Sequence, residues 1–387
     1  MPRWVGALLF FGTAFLVWGG LHAWFHFRLA GALDLGPRAR LALRIGLGVL
    51  ALAYLGARGL EAVAGHRAAL ALLWPGALWM GFLSVAVSGL FVVEVAVALP
   101  AWILKAAGAV TPDAAHAAVR WAVLAALAAA VGLSGWGLSR ALSPPRISDH
   151  EVRLAGLPAS LDGFRIVVAS DIHAGELVTP GRLEGIATAI DAADADLVLL
   201  VGDLTDEQDG GDGTAFARLA RVRSRHGVLA STGNHEFYSG GPSVLRALDG
   251  AGIRVLRQGH TVVAGGLVVA AVDDPAFLEG GRGAVAAGID RALDGRPAGL
   301  PVVLLSHQPL AVEHAARAGV GLMLCGHTHG GQIPPFHLVT GLAFDFREGV
   351  HRVGDMTVSV SRGAGFWGPP MRVFADPEVV RITLRAG

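Results

Sequence analysis

Thiol chemistry has almost no place in this chain. Of its 387 residues only Cys325 is a cysteine, so neither an intrachain disulfide nor a thiolate metal cluster can be built. Lysine is as scarce: Lys105 is the only one, and the other basic residues are arginines, which reads as coding bias. Charge of either sign is thin at 16%, and 31 basic against 31 acidic residues leave no net charge. Electrostatics therefore offer nothing to a nucleic-acid partner. The abundant features are unevenly placed. Eight of the nine tryptophans (Trp4, Trp18, Trp24, Trp74, Trp79, Trp102, Trp121, Trp136) precede residue 140, where charges are sparse, while most acidic residues follow it. The hydrophobic content of 53% thus averages a membrane half and a soluble half.

Four apolar segments can be drawn in residues 1–140, over 4–23, 41–60, 70–99 and 117–138. Roughly 20 apolar residues cross a bilayer as a helix, and tryptophans near segment ends suit interfacial anchoring. The expectation is a transmembrane region of four helices, multi-pass in the cell membrane. Its orientation stays open. One side would hold Arg3, Arg58, Arg67, Arg140 and Arg146, the other Arg28, Arg38, Arg40, Arg44, Lys105 and Arg120, so no excess of positive charge marks an inner side. Glu94 falls inside the third segment, where a carboxylate is either paired or functional. His22 and His26 share a helix face at i,i+4. Solvated interfacial histidines are the plainer reading of that pair, a metal site the sharper one.

Ser143-Pro144-Pro145-Arg146 breaks the last helix, which makes 141–149 a linker and 150–387 a soluble domain. There, strand-like apolar runs (164–169, 197–201, 228–231, 302–305, 321–324) alternate with helical stretches. Thr179-Pro180 reads as a helix cap followed by proline at the first helical position. Residues 253–273 read as a meander, and the tail over 356–384 as further strands. Alternating βα units with a β-rich end predict an α/β sandwich.

What ends the apolar runs is more telling. Leu197-Val198-Leu199-Leu200-Val201-Gly202-Asp203 delivers a lone carboxylate at a strand end, where open α/β folds place ligands. A turn or helix cap is the ordinary fate of such an aspartate. Other strand ends present Asp171 and His173, Asn234 and His235, His307, then His327 and His329. A single histidine there is commonly a hydrogen-bonded structural residue, but independent turns do not explain five such sites in one order. All would emerge at the same edge of a sheet. Carboxylate, imidazole and amide oxygen together suit borderline divalent metals such as manganese, iron or zinc. Gly202, Gly233 and Gly326 each precede a candidate ligand, where a side chain would obstruct a tight bend. Cys325 reads as small buried filler.

Ser170-Asp171-Ile172-His173, Gly202-Asp203, Gly233-Asn234-His235-Glu236, Ser306-His307 and Gly326-His327-Thr328-His329 resemble, in order, the signature blocks of calcineurin-like metallophosphoesterases. The resemblance covers about residues 150–387, including Val272-Asp273-Asp274-Pro275 and Arg362-Gly363. The chain looks most like the membrane-associated bacterial branch, which includes enzymes resembling a pyrophosphatase of UDP-linked diacylglucosamine. The resemblance implies a metallophosphoesterase-type β-sandwich flanked by helices, with two divalent metal ions about 3.5–4 Å apart. One ion would be held by Asp171, His173 and His329, the other by Asn234, His307 and His327, with Asp203 shared. A metal-bridging hydroxide would attack phosphorus in line with the leaving group. His235, which binds no metal in the family pattern, would assist the leaving oxygen, with Asp206 or Glu236 as its orienter. Arg362, Trp367 and Arg372 in the late Gly/Pro-rich loop read first as structural and second as substrate-touching; no substrate-binding residue is assigned.

The expected function is a membrane-anchored, metal-dependent phosphoric ester hydrolase. A phosphomonoester, a phosphodiester or a pyrophosphate suits the same metal pair, lipid-linked substrates included. The competing class is a membrane sensor or transporter whose soluble half binds a phosphate ligand without turnover. His235 speaks against it, because binding alone needs no group to assist departure.

Overall fold

The computed structural model describes the backbone of residues 3–64 and 66–387 and the side chains of residues 12–57, 60 and 69–387. It divides into two compact units, Met1–Gly137 with Pro369–Met371, and Leu138–Gly368 with Arg372–Gly387.

The first unit is helical. Helices run over Arg3–Ala32, Pro37–Ala64 and His66–Val93, the last continuing through a π-wound turn, Glu94–Ala98, into Leu99–Ala106. The helix Pro112–Leu142 follows. Among the described residues three stretches are long and apolar enough to cross a membrane: Pro37–Ala57, Ala69–Ala106 and Pro112–Leu142. The count is thus three where the sequence suggested four. The remaining segment lies in the helix Arg3–Ala32, part of which falls outside the described side chains, as do Arg3, Arg58 and Arg67 of the charge comparison. Glu94 makes an ion pair with Arg28, which offsets the cost of a carboxylate in an apolar setting. His22 is buried rather than solvated, and its ring nitrogens meet Trp18 O at 2.8 Å and the indole N–H of Trp79 at 2.9 Å. His26 Nε2 instead lies 3.1 Å from Arg40 O. The two histidines therefore serve separate structural contacts.

Twelve strands build the second unit: β1 (Arg146–Leu154), β2 (Arg165–Ala169), β3 (Leu197–Val201), β4 (Val228–Ser231), β5 (Arg254–Val255), β6 (Gly259–Val263), β7 (Leu267–Ala271), β8 (Val302–Leu305), β9 (Leu322–Cys325), β10 (Gly349–Val353), β11 (Met356–Val360) and β12 (Glu378–Ala386). They form two six-stranded sheets, ordered β1-β12-β2-β3-β4-β5 and β10-β11-β9-β8-β7-β6. Strands β2 to β5 run parallel, as do β7, β8, β9 and β11. The stretch read as a meander is divided: β5 closes the first sheet, whereas β6 and β7 pair antiparallel in the second. Residues 146–149, read as linker, already belong to β1 and pair with the chain's last strand.

Strand β3 shows why the central runs lack polar alternation. Leu197, Leu199 and Val201 enter the core between the sheets, while Val198 and Leu200 enter a second core under the helix Pro180–Ala192. A strand covered on both faces must be apolar throughout. Buried leucines of this kind are worth about 2–5 kcal/mol each against alanine. The helix Val285–Leu293 covers the outer face of the second sheet through Val285, Ile289, Ala292 and Leu293. Thr179 does precede the helix Pro180–Ala192, but its side chain makes no capping hydrogen bond.

Candidate metal centre

The single sheet edge expected from sequence is two edges brought together. The loops after β2, β3 and β4 supply Asp171, His173, Asp203, Asn234 and His235 from the first sheet. The loops after β8 and β9 supply His307, His327 and His329 from the second. Parallel strands all release their carboxyl ends in one direction, so two packed sheets can pool their loops.

One ligand atom each from Asp171, His173 and His329 lies within 4.8 Å of the others, and the same holds for Asp203, His307 and His327. A third, overlapping group joins His173, Asp203 and His235. Asp203 stands between the first two groups, its Oδ2 3.0 Å from His307 Nε2 and 3.9 Å from His173 Nε2. His329 Nε2 is 3.4 Å from Asp171 Oδ1 and 3.1 Å from His173 Nε2. Asn234 Oδ1 is buried and accepts no hydrogen bond.

The donor chemistry fits cations. His307 Nδ1 sits 2.9 Å from the carbonyl of Val201, so a neutral ring donates there and turns the Nε2 lone pair outward. That nitrogen is buried without a well-formed hydrogen bond although Asp203 Oδ2 is close. Two acceptors at such a distance repel unless positive charge lies between them. In the metal-free protein protons supply it. Burial works against the His307 imidazolium, yet Asp203 and Asp171 hold its pKa well above the ordinary range. Burial likewise opposes protonation of His173, but Asp206, and then Asp203 and Asp171, raise it to about 9. His327 behaves oppositely: burial, reinforced by His307, lowers it to about 3. Burial and the Arg372 guanidinium keep His329 well below its usual value.

The backbone is bent to suit. Asp171, His173, Asp203, His327 and His329 all adopt φ between 51° and 70°. This left-handed region costs side-chain-bearing residues about 1–3 kcal/mol each and is concentrated at functional sites. The bends leave no room for neighbouring side chains. A Cβ on Gly202 would stand 2.6 Å from His307 Nδ1, and one on Gly326 would collide with Asp171.

Asp206 orients two rings at once. Its Oδ1 lies 2.8 Å from His173 Nδ1 and 2.7 Å from His235 Nδ1. Burial would raise this carboxyl, but His173 and His235 hold it far below the usual carboxylate range. Glu236, the other expected orienter, does something different. Its buried carboxylate accepts from the backbone N–H groups of Asp203 at 2.9 Å, and of Leu204 and Gly233 at 2.6 Å each. It ties the β3 loop to the β4 loop and does not reach His235.

The profile of the calcineurin-like phosphoesterase family matches residues 164–331, which contain all eight of these residues. An uncharacterized metallophosphoesterase of Bacillus subtilis is 30% identical over 265 residues, covering 65% of this chain and 90% of that protein. The chain belongs to the calcineurin-like metallophosphoesterase family. Members of this family are metal-dependent phosphoester hydrolases. A "transmembrane protein with metallophosphoesterase domain" from Danio rerio is 35% identical over 282 residues (69% of this chain, 63% of that protein). Its counterpart from Bos taurus is 34% identical over 273 residues (66% and 60%). The chain thus spans a little under two thirds of these two relatives. With its apolar helices, this metallophosphoesterase is a membrane protein.

Of the three late-loop residues, Trp367 borders the site from the exposed side and Arg372 from the buried side. Trp367 is 56% exposed, with its ring 5.7 Å from that of His235. Arg362 is tied to Glu378 at 2.5 Å. Arg372 is wholly buried; its guanidinium donates to the carbonyls of Gly365, His329 and Arg362 and lies 3.0 Å from His329 Nδ1. It clasps the loop and the His329 ring, and burial lowers it to about 9. Arg282, not singled out from sequence, stands over the Phe344 ring at 5.0 Å, and that ring lies 5.4 Å from His327. An arginine in a glycine-rich turn gives no pattern by which to find it.

Proposed function

We propose that the chain is a membrane-anchored phosphoesterase working with two divalent cations of the manganese, iron or zinc type. Asp171, His173 and His329 would hold one, Asn234, His307 and His327 the other, and Asp203 both. The observation that carries this reading is the position of Asp203 Oδ2, within 3.9 Å of a histidine from each group, together with the orphaned donors Asn234 Oδ1 and His307 Nε2. Bound cations would supply Lewis-acid polarisation of the phosphoryl group and acidify a water at neutral pH.

The protein's own groups do the rest. His307 stays directed at the centre because Val201 O holds its Nδ1. Asn234 brings a neutral oxygen, so an anionic substrate meets less repulsion than a third carboxylate ligand would cause. Asp206 accepts at His235 Nδ1 across 2.7 Å, which fixes the ring and leaves Nε2 free to serve the departing oxygen. The Glu236 carboxylate keeps the Asp203 and Asn234 loops in register. Phosphomonoesters, phosphodiesters and pyrophosphates are the substrate classes, in a multi-pass protein of the cell membrane.

The decisive test is Asp203→Ala in the full-length protein purified in detergent and supplied with manganese or zinc. Both metals should be lost, and hydrolysis of p-nitrophenyl phosphate and its diester should fall by about a thousandfold or more, equivalent to several kcal/mol of transition-state stabilisation. Unchanged metal content with unchanged hydrolysis would sink the reading. His235→Ala should keep both metals yet slow turnover by about 100- to 10,000-fold. A domain that only binds phosphate would show no turnover to lose.

A further inference from the structure

The helix Phe336–Ala343 reads Phe-His-Leu-Val-Thr-Gly-Leu-Ala; it carries no acidic, lysine or arginine side chain, and none of its residues is buried. Phe336 is 49% exposed, Leu338 72%, Val339 50% and Leu342 90%. The polar residues of the helix, His337 and Thr340, share one side, and an apolar patch left open, as the rest of the helix is, marks a contact surface. Both ends of this helix are fastened to the metal-ligand loop. At its start, the His337 backbone nitrogen packs so closely on Gly331 that a Cβ there would stand 2.6 Å away. At its end, Phe344 lies against His327. The helix therefore forms a rim of the candidate centre.

Its occupant follows from the rest of the chain. The second unit begins at Leu138, inside the last apolar helix Pro112–Leu142, and takes Ala141 into its core, so the chain passes directly from a membrane-length helix into this unit. A bilayer is the apolar phase within reach. We infer that the helix Phe336–Ala343 is an interfacial anchor, seated in the headgroup–acyl boundary, which presents the metal centre to the phosphate of a lipid. The apolar face of an interfacial helix sits about 5–10 Å into that boundary, which brings the adjoining centre level with the headgroups. The substrate half of this inference rests on the proposed function; the insertion half does not.

The test uses full-length protein reconstituted in vesicles of phosphatidylcholine and phosphatidylglycerol. Cys325 is buried and its thiol is pushed up by burial, so a spin label goes to an introduced cysteine at Leu338→Cys, Leu342→Cys or, as an exposed control, Asp249→Cys. Labels at 338 and 342 should be more accessible to oxygen than to a water-soluble nickel chelate, and the label at 249 the reverse. Water-like accessibility at 342 would overturn the anchor, and dipolar coupling between labels of two copies would assign the patch to self-association instead. In parallel, the double variant Leu338→Asp/Leu342→Asp should hydrolyse phosphatidic acid in the same vesicles at least about tenfold more slowly, with p-nitrophenyl phosphate hydrolysis unchanged. Equal loss on both substrates would make the helix merely structural. Wild-type hydrolysis of the aryl phosphate without phosphatidic acid would overturn the lipid substrate. Inserted labels with no hydrolysis of either would leave the anchor standing and the proposed function fallen.

Discussion

His22 and His307 are both buried, at 7% and 0% exposure, yet only His307 turns a ring nitrogen toward a carboxylate of the candidate centre. In the helical unit, His22 spends Nδ1 on the carbonyl of Trp18 and Nε2 on the indole N–H of Trp79. Every polar atom of the ring is satisfied, so the residue behaves as a wedge between helices. In the α/β unit, His307 spends Nδ1 on Val201 and leaves Nε2 facing the Asp203 carboxylate. Burial alone therefore separates nothing. What distinguishes a ligand from a structural histidine is an unsatisfied nitrogen beside other acceptors, an arrangement too costly to keep without a cation.

The contrast breaks most sharply by truncation. His307→Ala should remove one of two metals and slow aryl phosphate hydrolysis by about a hundredfold or more; metal analysis beside steady-state kinetics checks both. A variant retaining two metals would place His307 with His22 among structural residues. A smaller effect is expected from pH. Below about 9, His173 keeps the proton that Asp206, Asp203 and Asp171 stabilise against burial, and a cation must displace it. Manganese affinity of the metal-depleted protein should rise at least about tenfold per pH unit from neutrality toward that value. Calorimetric titration at stepped pH reads the slope, and a flat profile would remove His173 from the ligand set. The smallest effect on chemistry belongs to His22→Ala. Metal content and hydrolysis should stay unchanged, while stability falls by about 1–3 kcal/mol because the Trp79 N–H loses its acceptor. Thermal unfolding in detergent would show the lowered midpoint.

The two units were not equally legible. Apolar length announces a membrane helix, but the boundaries shifted: the segment read as 70–99 belongs to a stretch running Ala69–Ala106. The strands of the α/β unit were read almost to the residue where both faces are covered, as in Leu197–Val201 and Val302–Leu305. Short peripheral strands such as Arg254–Val255 were assigned to the wrong neighbours, because a two-residue strand has no period to read. Among the site residues, the strand-end donors stood out by chemical type. The separate duties of Asp206 and Glu236 did not, since both are carboxylates a few residues from a histidine.

The sequence by itself determined that the chain has an apolar helical half and an α/β half, and that the second half ends its buried strands in carboxylates, an amide and imidazoles. Those are local properties, fixed by composition and period. Only the tertiary structure decided that the donors come from two sheets, that Asp203 stands between the two groups, that Arg372 is a buried clasp, and that the helix Phe336–Ala343 lies bare beside the centre. Each of these depends on which segments meet across the sandwich, and contacts between residues far apart in the chain leave no mark on the pattern of either one.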